Sequence, residues 1–152
     1  MNENPKKYDS ASHSAEHILN RTMDLMLGCG RAFSAHIERK KSKCDYRFTR
    51  DLTEEERHDL EARVNAVIAR QLDVHETFLD RAEAGERFNL SRLPEEAGDT
   101  IRIIEIGDYD ACPCSGVHIA NTREIGAFTI LSTSYADGVL RLRFRVAEAA
   151  QA

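Results

Sequence analysis

The sequence predicts an α+β fold in which a largely antiparallel sheet packs against helices. Two segments repeat apolar residues at helical spacing, several others alternate apolar with polar residues, and an Asp-Gly pair near the C-terminus marks a β-hairpin. At 152 residues and 17.2 kDa the chain has the size of one domain. We therefore expect residues 1–152 to form a single unit.

The composition excludes several classes of protein. Charged residues make up 31% and apolar residues 41%, which is typical of a globular protein rather than a disordered or membrane protein. No apolar run has the length of a membrane span, and the polar N-terminus lacks the apolar core of a signal peptide. We expect a cytoplasmic protein without a membrane partner, whose four cysteines are thiols or metal ligands. The net charge of -5 means that any contact with RNA needs a local basic patch.

The two helices are predicted from apolar spacing and from their end signals. The first runs from His13 to about Leu27, with Ser10 or Ser12 as its cap and Gly28-Cys29-Gly30 as its end. The second begins at a capping box, Thr53-Glu-Glu-Glu56, and runs to about Gln71.

The strands are predicted from alternation and from β-branched runs. A hairpin is expected over residues 33–37 and 44–48, a short strand over 74–79, an irregular or weakly helical connection over 81–98 and a buried strand over 101–106. Asp137-Gly138 joins the last two strands, 128–134 and 139–146. The final strand alternates apolar residues with arginines, so one of its faces is expected in the core and the other is basic.

Two separate motifs together predict a metal site. His13 and His17 are four residues apart in the first helix and therefore share one face. Cys114 and His118 are expected to converge on them from a turn, because Pro113 and Gly116 interrupt any helix there. One thiolate and three imidazoles suit zinc, which would join the N-terminal helix to a turn at the end of a strand.

Alternatives exist for each half of this site. A pair of histidines alone is a weak signal, because such residues are commonly solvated or packed in a core. Cys112 is a second possible thiolate, but Cys114 is favoured because it lies four residues before a histidine. Cys29 and Cys44 are interpreted as small core residues.

With these residues assembled, the chain resembles the editing domains shared by alanyl- and threonyl-tRNA synthetases, and the free-standing alanyl-tRNA editing proteins of the same superfamily. The matching segments are, in order, His13-Ser-Ala-Glu-His17, Cys114-Ser-Gly-Val-His118 and Asn121-Thr-Arg-Glu-Ile-Gly126, with Asn65 at a further family position. Two departures stand out. Ser115-Gly116-Val117 replaces a frequent Gly-Gly-Thr, and Val139-Leu140-Arg141 stands where many members have Arg-Arg.

The resemblance implies zinc held by His13, His17, Cys114 and His118, and hydrolysis of the 3′ ester of a mischarged transfer RNA. It implies removal of serine, or of glycine, from alanine transfer RNA, with threonine transfer RNA as another acceptor. The alternative is a non-catalytic tRNA-binding module with a structural zinc, because a site with four protein ligands is closed to substrate.

The catalytic base and the RNA contacts are less well defined by the sequence. Glu16 is a candidate catalytic helper beside the histidines, although a solvent-exposed capping role is at least as well supported. A basic segment either contacts phosphate or forms a solvated turn, and two arginines of the last strand are further candidates. These residues are Arg39, Lys40, Lys41, Lys43, Arg141 and Arg143.

Overall fold

The computed structural model describes residues 9–90 and 98–148. Within these ranges the helices are α1 (Ser10–Leu27), α2 (Glu54–Ala69), α3 (Arg81–Arg87) and a 3₁₀ turn over Thr122–Glu124. The strands are β1 (Ser34–His36), β2 (Ser42–Arg47), β3 (Val74–Asp80), β4 (Thr100–Ile106), β5 (Asp110–Pro113), β6 (Phe128–Ala136) and β7 (Val139–Val146). The predicted α+β class is confirmed. No helix in the described ranges is long and apolar enough to cross a membrane.

Helix α1 is capped by Asp9, so the expectation of a serine cap was wrong. The Asp9 carboxylate accepts hydrogen bonds from the Ser12 backbone N–H at 3.1 Å and from the Ser12 hydroxyl at 2.8 Å. A carboxylate both satisfies an unpaired N–H and interacts favourably with the positive end of the helix dipole. Gly28, with φ of 64°, ends the helix in the left-handed conformation, as expected.

The strands are all antiparallel, but they form two sheets rather than one. One sheet has the order β1-β2-β7-β6, and the other has the order β3-β4-β5. The sequence signals for strands are local, whereas the β2–β7 pairing joins residues about a hundred positions apart, as in Asp45 opposite Arg141. Asp137 and Gly138 adopt φ of 50° and 80° at the β6–β7 turn, which confirms the predicted hairpin.

The main core lies between the four-stranded sheet and helices α1 and α2. Leu140, Leu142 and Phe144 of β7 are completely buried in it. The intervening arginines project from the other face, so the predicted division of β7 into an apolar and a basic face is confirmed. A second, smaller cluster joins α3 to β4 through Ala84, Ile101 and Ile103.

The connection after β3 is more regular than expected. Asp80 caps α3 by accepting a hydrogen bond from the Glu83 N–H at 2.8 Å, and the helix continues to Arg87. The helical signal is weak here because few apolar residues in this charged segment repeat at helical spacing. Residues 91–97 of the predicted connection lie outside the described residues.

The Asn121–Gly126 segment ties several elements together. The Thr122 hydroxyl donates to Ile68 O and accepts from Leu72 N–H, each at 2.9 Å, which joins the end of α2 to the start of β3. A Cβ atom added at Gly126 would lie 2.0 Å from Ala147 O, so the close passage of the chain after β7 requires glycine here. These residues shape the fold beside the site rather than the site itself.

Asn65 also has a structural contact. Its side-chain amide donates to Phe128 O at 2.9 Å and its carbonyl accepts from Phe128 N–H at 2.8 Å. This pair fastens helix α2 to the first residue of β6.

Candidate metal centre

Four side chains from two distant parts of the chain meet in one cluster. His13 and His17 lie on the first turns of α1, and Cys114 and His118 lie on the turn that follows β5. Their ligand atoms are all within 4.8 Å of one another. The structure thus brings together the four residues that the sequence motifs selected.

The turn after β5 that carries Cys114 and His118, which we call the ligand turn, is held in place by β4. Strand β4 leads through Gly107, with φ of 50°, into β5, so the turn comes after a second strand and not directly after the buried isoleucine run. Arg102 donates from Nη1 to Cys114 O at 3.1 Å and to Gly116 O at 2.7 Å. Pro113 occupies the last position of β5, where its missing N–H is tolerated.

Each histidine turns its Nδ1 atom away from the cluster. His13 Nδ1 donates to Val117 O at 2.9 Å, which fixes its Nε2 as the atom with a lone pair, 3.4 Å from Cys114 Sγ. His118 Nδ1 is hydrogen bonded to Ser14 Oγ at 2.9 Å, and His17 Nδ1 lies 3.7 Å from Asp110 Oδ2. The three Nε2 atoms are therefore available for one centre, and outer contacts of this kind orient metal-binding histidines.

Asp110, the first residue of β5, is a buried carboxylate that faces side chains of α1 and of the segment that follows α1. Arg31 binds both of its oxygens, at 2.8 and 3.1 Å, and Arg21 Nε lies 3.3 Å away. Burial opposes ionisation, but His17 and Arg31 outweigh it and hold the pKa of Asp110 well below its usual range. Asp110 is thus a fixed negative charge facing His17.

The protonation states of Cys114 and His118 favour metal binding, whereas a proton on His17 competes with the metal. Burial raises the pKa of the Cys114 thiol, but the neighbouring imidazoles of His118, His13 and His17 outweigh burial and lower that pKa to about 2. Burial lowers the pKa of His118 to about 4, so its imidazole is neutral at pH 7. Burial also opposes the charge on His17, but Asp110 and Cys114 raise its pKa well above the usual value. Metal binding would displace that single proton from His17.

The residues present fit a zinc ion. Among the described residues, buried His118 Nε2 has no hydrogen-bond partner, although burying such an atom unsatisfied is costly. One thiolate and three imidazole nitrogens match the donor set that zinc takes in tetrahedral sites. A metal at this point would satisfy the orphaned nitrogen.

Glu16 is buried beside the cluster, so the expectation of a solvent-exposed capping role was wrong. Its side chain is 5% exposed, and Oε1 lies 3.7 Å from His13 Nε2. Asn20 Nδ2 donates to Glu16 Oε2 at 2.8 Å, and Asn20 Oδ1 accepts from Tyr46 OH at 2.8 Å. This network holds a carboxylate inside the site. Local sequence patterns do not indicate the network, because Tyr46 lies on β2 whereas Glu16 and Asn20 lie on α1.

Sequence reasoning also missed Ser14 and Asp110 as site residues. Ser14 is completely buried and accepts from the Ile119 N–H at 3.3 Å as well as contacting His118. The available signal for Asp110 was an acidic residue at the start of a short strand that leads to a ligand cysteine. Cys112 is not part of the ligand group within the described residues, and burial raises the pKa of its thiol.

The basic segment lies at the tip of the β1–β2 hairpin. Arg39, Lys40 and Lys41 are exposed there, and Lys43 is half-buried on β2. Arg39 Nη2 is 2.6 Å from Glu148 Oε1, in an ion pair that is exposed on both sides.

The candidate arginines of β7 lie on the outer face of the four-stranded sheet. Arg141 donates to both carboxylate oxygens of Asp45, at 2.9 and 3.0 Å. Arg143 is directly opposite Lys43 in the β2–β7 register, so two cations are neighbours on that face.

Comparisons with known proteins agree with the motifs. A family model described as the threonyl and alanyl tRNA synthetase second additional domain matches residues 101–143. An alanine–tRNA ligase of Methanococcus maripaludis (strain C7) is 31% identical over 137 residues, which are 88% of this chain and 15% of the ligase. One of Staphylococcus aureus (strain JH9) is 30% identical over 136 residues, again 88% of this chain and 15% of the ligase. The chain thus matches about a seventh of the length of these relatives.

Proposed function

Because residues 101–143 match the model of the threonyl and alanyl tRNA synthetase second additional domain, and 88% of the chain is similar to alanine–tRNA ligases, we propose that it is a zinc-dependent aminoacyl-tRNA deacylase of that family. Its proposed substrate is a mischarged transfer RNA, and the bond cleaved is the ester that joins the amino acid to the 3′ end. Serine on alanine transfer RNA is the preferred substrate. Glycine on the same RNA and serine on threonine transfer RNA are further substrates.

One observation carries the proposal. Four donor atoms from His13, His17, Cys114 and His118 lie within 4.8 Å of one another, while hydrogen bonds hold Nδ1 of His13 and of His118 away from them and His17 Nδ1 faces Asp110. A packed core has no need of three imidazoles around a thiolate, because unpaired polar groups in a core are destabilising. This supports a centre that binds one zinc ion through these four residues.

Hydrolysis of the ester needs an attacking water, a proton acceptor and stabilisation of the developing oxyanion. Zinc bound at the four residues would supply a Lewis acid for the ester. Glu16 is the proposed proton acceptor, since Asn20 fixes Oε2 and leaves Oε1 toward His13. Ser14 and Asp110 are proposed to hold the orientations of His118 and His17.

Serine is the natural error for such an enzyme to correct. A pocket built for alanine cannot strongly exclude an amino acid that only adds a hydroxyl, because an apolar pocket rejects such a group only about a hundredfold. Val117 replaces the threonine that is frequent in the family, and the Ser14 hydroxyl is engaged with His118. Neither position therefore offers a free hydroxyl for the serine side chain.

A non-catalytic tRNA-binding module is the second candidate function. Four protein ligands are typical of structural zinc sites, which keep no position open for substrate. In that case the ion would only fasten α1 to the ligand turn, and the protein would bind transfer RNA without turnover.

Deacylation of charged transfer RNAs tests the two candidates against each other. We expect the purified protein to release serine from alanine transfer RNA, and His118→Ala to reduce the rate by more than about a hundredfold. His58→Ala is the matched control, since His58 is 77% exposed and paired only with Glu54 on the surface of α2. Binding of the RNA without release of serine or glycine from either acceptor would favour the binding module.

Transfer RNA contacts are proposed at the hairpin tip and on the outer sheet face. The candidates are Arg39, Lys40, Lys41, Lys43, Arg141 and Arg143, of which Arg39 and Arg141 are already paired with carboxylates. A local patch of this kind can bind phosphate despite the net charge of -5, because screening limits the reach of distant charges to about 10 Å.

Salt dependence of binding checks this patch. Neutralising Lys40, Lys41 and Lys43 together should weaken transfer RNA binding and reduce the slope of log affinity against log salt by about 2 to 3. Replacing Arg63 and Arg70, which lie on and just after α2, should leave the slope nearly unchanged. An equal slope for the lysine variant and the wild type would exclude the hairpin tip as a contact.

A further inference from the structure

An exposed aromatic ring lies on the same sheet face as the candidate metal centre. Phe78 of β3 is 58% exposed, and it belongs to neither of the two hydrophobic clusters of the described residues. It is directly opposite Arg102 of β4 in an antiparallel pair, so the two side chains project from the same face. The other face of this sheet, which carries Ile101 and Ile103, packs against α3.

This face leads from Phe78 to the ligand turn. Side chains two residues apart on a strand share a face, so Arg102, Ile104 and Ile106 project together, with Cys112 and Asp110 beside the last two on β5. Asp110 faces His17, and Arg102 donates to the carbonyls of the ligand turn. Phe78 on β3 is therefore two strand spacings, or roughly 10 Å, from the line of β5, which the ligand turn continues. A single aminoacylated nucleoside can bridge such a separation.

The surroundings of Phe78 suit a nucleobase better than other partners. Glu76 and Asp80, which share the face of Phe78 on β3, are polar and exposed, so the ring is not part of the contiguous apolar patch that a protein interface needs. Glu76, paired with Arg102, is acidic and would repel a phosphate. An isolated aromatic ring binds any base through its face, without regard to sequence.

We propose that Phe78 is the platform on which the unpaired 3′-terminal base of transfer RNA stacks, which places the ester bond at the ligand turn. This rests on the proposed deacylase function. Arg102 links the two parts, because it lies beside Phe78 on one side and fixes the ligand turn on the other. Phe78 is thus a binding residue for the nucleoside, separate from the residues proposed for the metal.

Tryptophan fluorescence tests the platform directly, because the chain has no Trp. Phe78→Trp introduces one reporter, and the probes are a cytidine-cytidine-adenosine trinucleotide and the same oligonucleotide with an abasic terminal ribose. We expect saturable quenching by the first probe and little by the second. Leu25→Trp, at a 63% exposed position near the C-terminal end of α1, is the matched control and should respond to neither.

Activity of further variants separates this inference from the proposed function. Phe78→Ala should raise the KM for seryl-tRNA roughly ten- to a hundredfold, and the conservative Phe78→Tyr, which keeps a ring, should rescue it. Absence of deacylation by the wild type would refute the proposed function, yet the fluorescence result would still stand. Equal quenching of Phe78→Trp by both probes, or an unchanged KM for Phe78→Ala, would overturn the platform.

Discussion

Cys114→Ser is expected to lose both zinc and deacylase activity, whereas Cys112→Ser keeps most of each. The three neighbouring imidazoles lower the pKa of Cys114 to about 2, against the effect of burial, so this residue is a thiolate ready to bind metal. A serine hydroxyl is not deprotonated at neutral pH, so the substitution removes one ligand. We expect zinc affinity to fall by more than about a hundredfold, since even outer-contact substitutions cost 10- to 100-fold.

Cys112 has a different environment two residues earlier. Burial raises the pKa of its thiol, its Sγ donates to its neighbour Pro113 O at 3.4 Å, and it lies opposite Ile104 on β4. Its loss should cost stability rather than chemistry. Elemental analysis, deacylation rates and thermal melting of both variants provide the measurement. A metal-free, inactive Cys112→Ser beside a zinc-loaded Cys114→Ser would mean that the assignment of ligands in the turn is wrong.

Gly126→Ala is expected to destabilise the protein by more than about 3 kcal/mol, because overpacking against fixed atoms forces the backbone to move. The added Cβ would lie 2.0 Å from Ala147 O and 2.7 Å from Glu148 O. Neither oxygen belongs to a flexible side chain that could turn aside. The chain after β7 would have to shift away, and with it the Ala147 N–H that donates to Ala127 O at 2.9 Å.

Gly85→Ala is the matched control for this effect. Gly85 lies within α3, and its added Cβ would make an ordinary contact with Leu90 Cδ1 at 3.7 Å. Replacing a helical glycine with alanine should stabilise the protein by about 0.5 to 1 kcal/mol. Urea unfolding of the two variants checks the pair, and equal stability of Gly126→Ala and the wild type would contradict the close approach of the two segments.

The elements that the sequence predicted correctly have signals carried by adjacent residues. Thr53 and Glu56 form both hydrogen bonds of the capping box, and Asp137-Gly138 forms the hairpin turn. Such signals depend on a few neighbouring side chains and on the backbone conformations that they allow. Local patterns therefore located α1, α2 and most of the strands.

The division into two sheets could not be predicted in the same way. It depends on long-range pairing, because β7 inserts between β2 and β6 while β3, β4 and β5 pair only with one another. Alternation of apolar and polar residues predicts that a segment is a strand, but does not identify its neighbours.

In the candidate site too, local signals were predictable and long-range contacts were not. His13, His17, Cys114 and His118 were selected from spacing and from the family resemblance, and their atoms lie together. The contacts that orient them were missed, because Ser14 reaches its partner His118 from 104 positions away. A sequence can thus identify donor atoms by their chemical type, whereas the groups that hold the donors become visible only in the folded chain.

The most direct test of the proposed function is the rate of serine release from alanine transfer RNA before and after removal of metal. We expect the purified protein to carry about one zinc per chain, to lose activity in parallel with zinc when treated with a chelator, and to recover both when one equivalent of zinc is restored. Full activity in a metal-free sample, or a zinc-loaded protein that releases serine and glycine from neither acceptor, would contradict the assignment of a zinc-dependent deacylase.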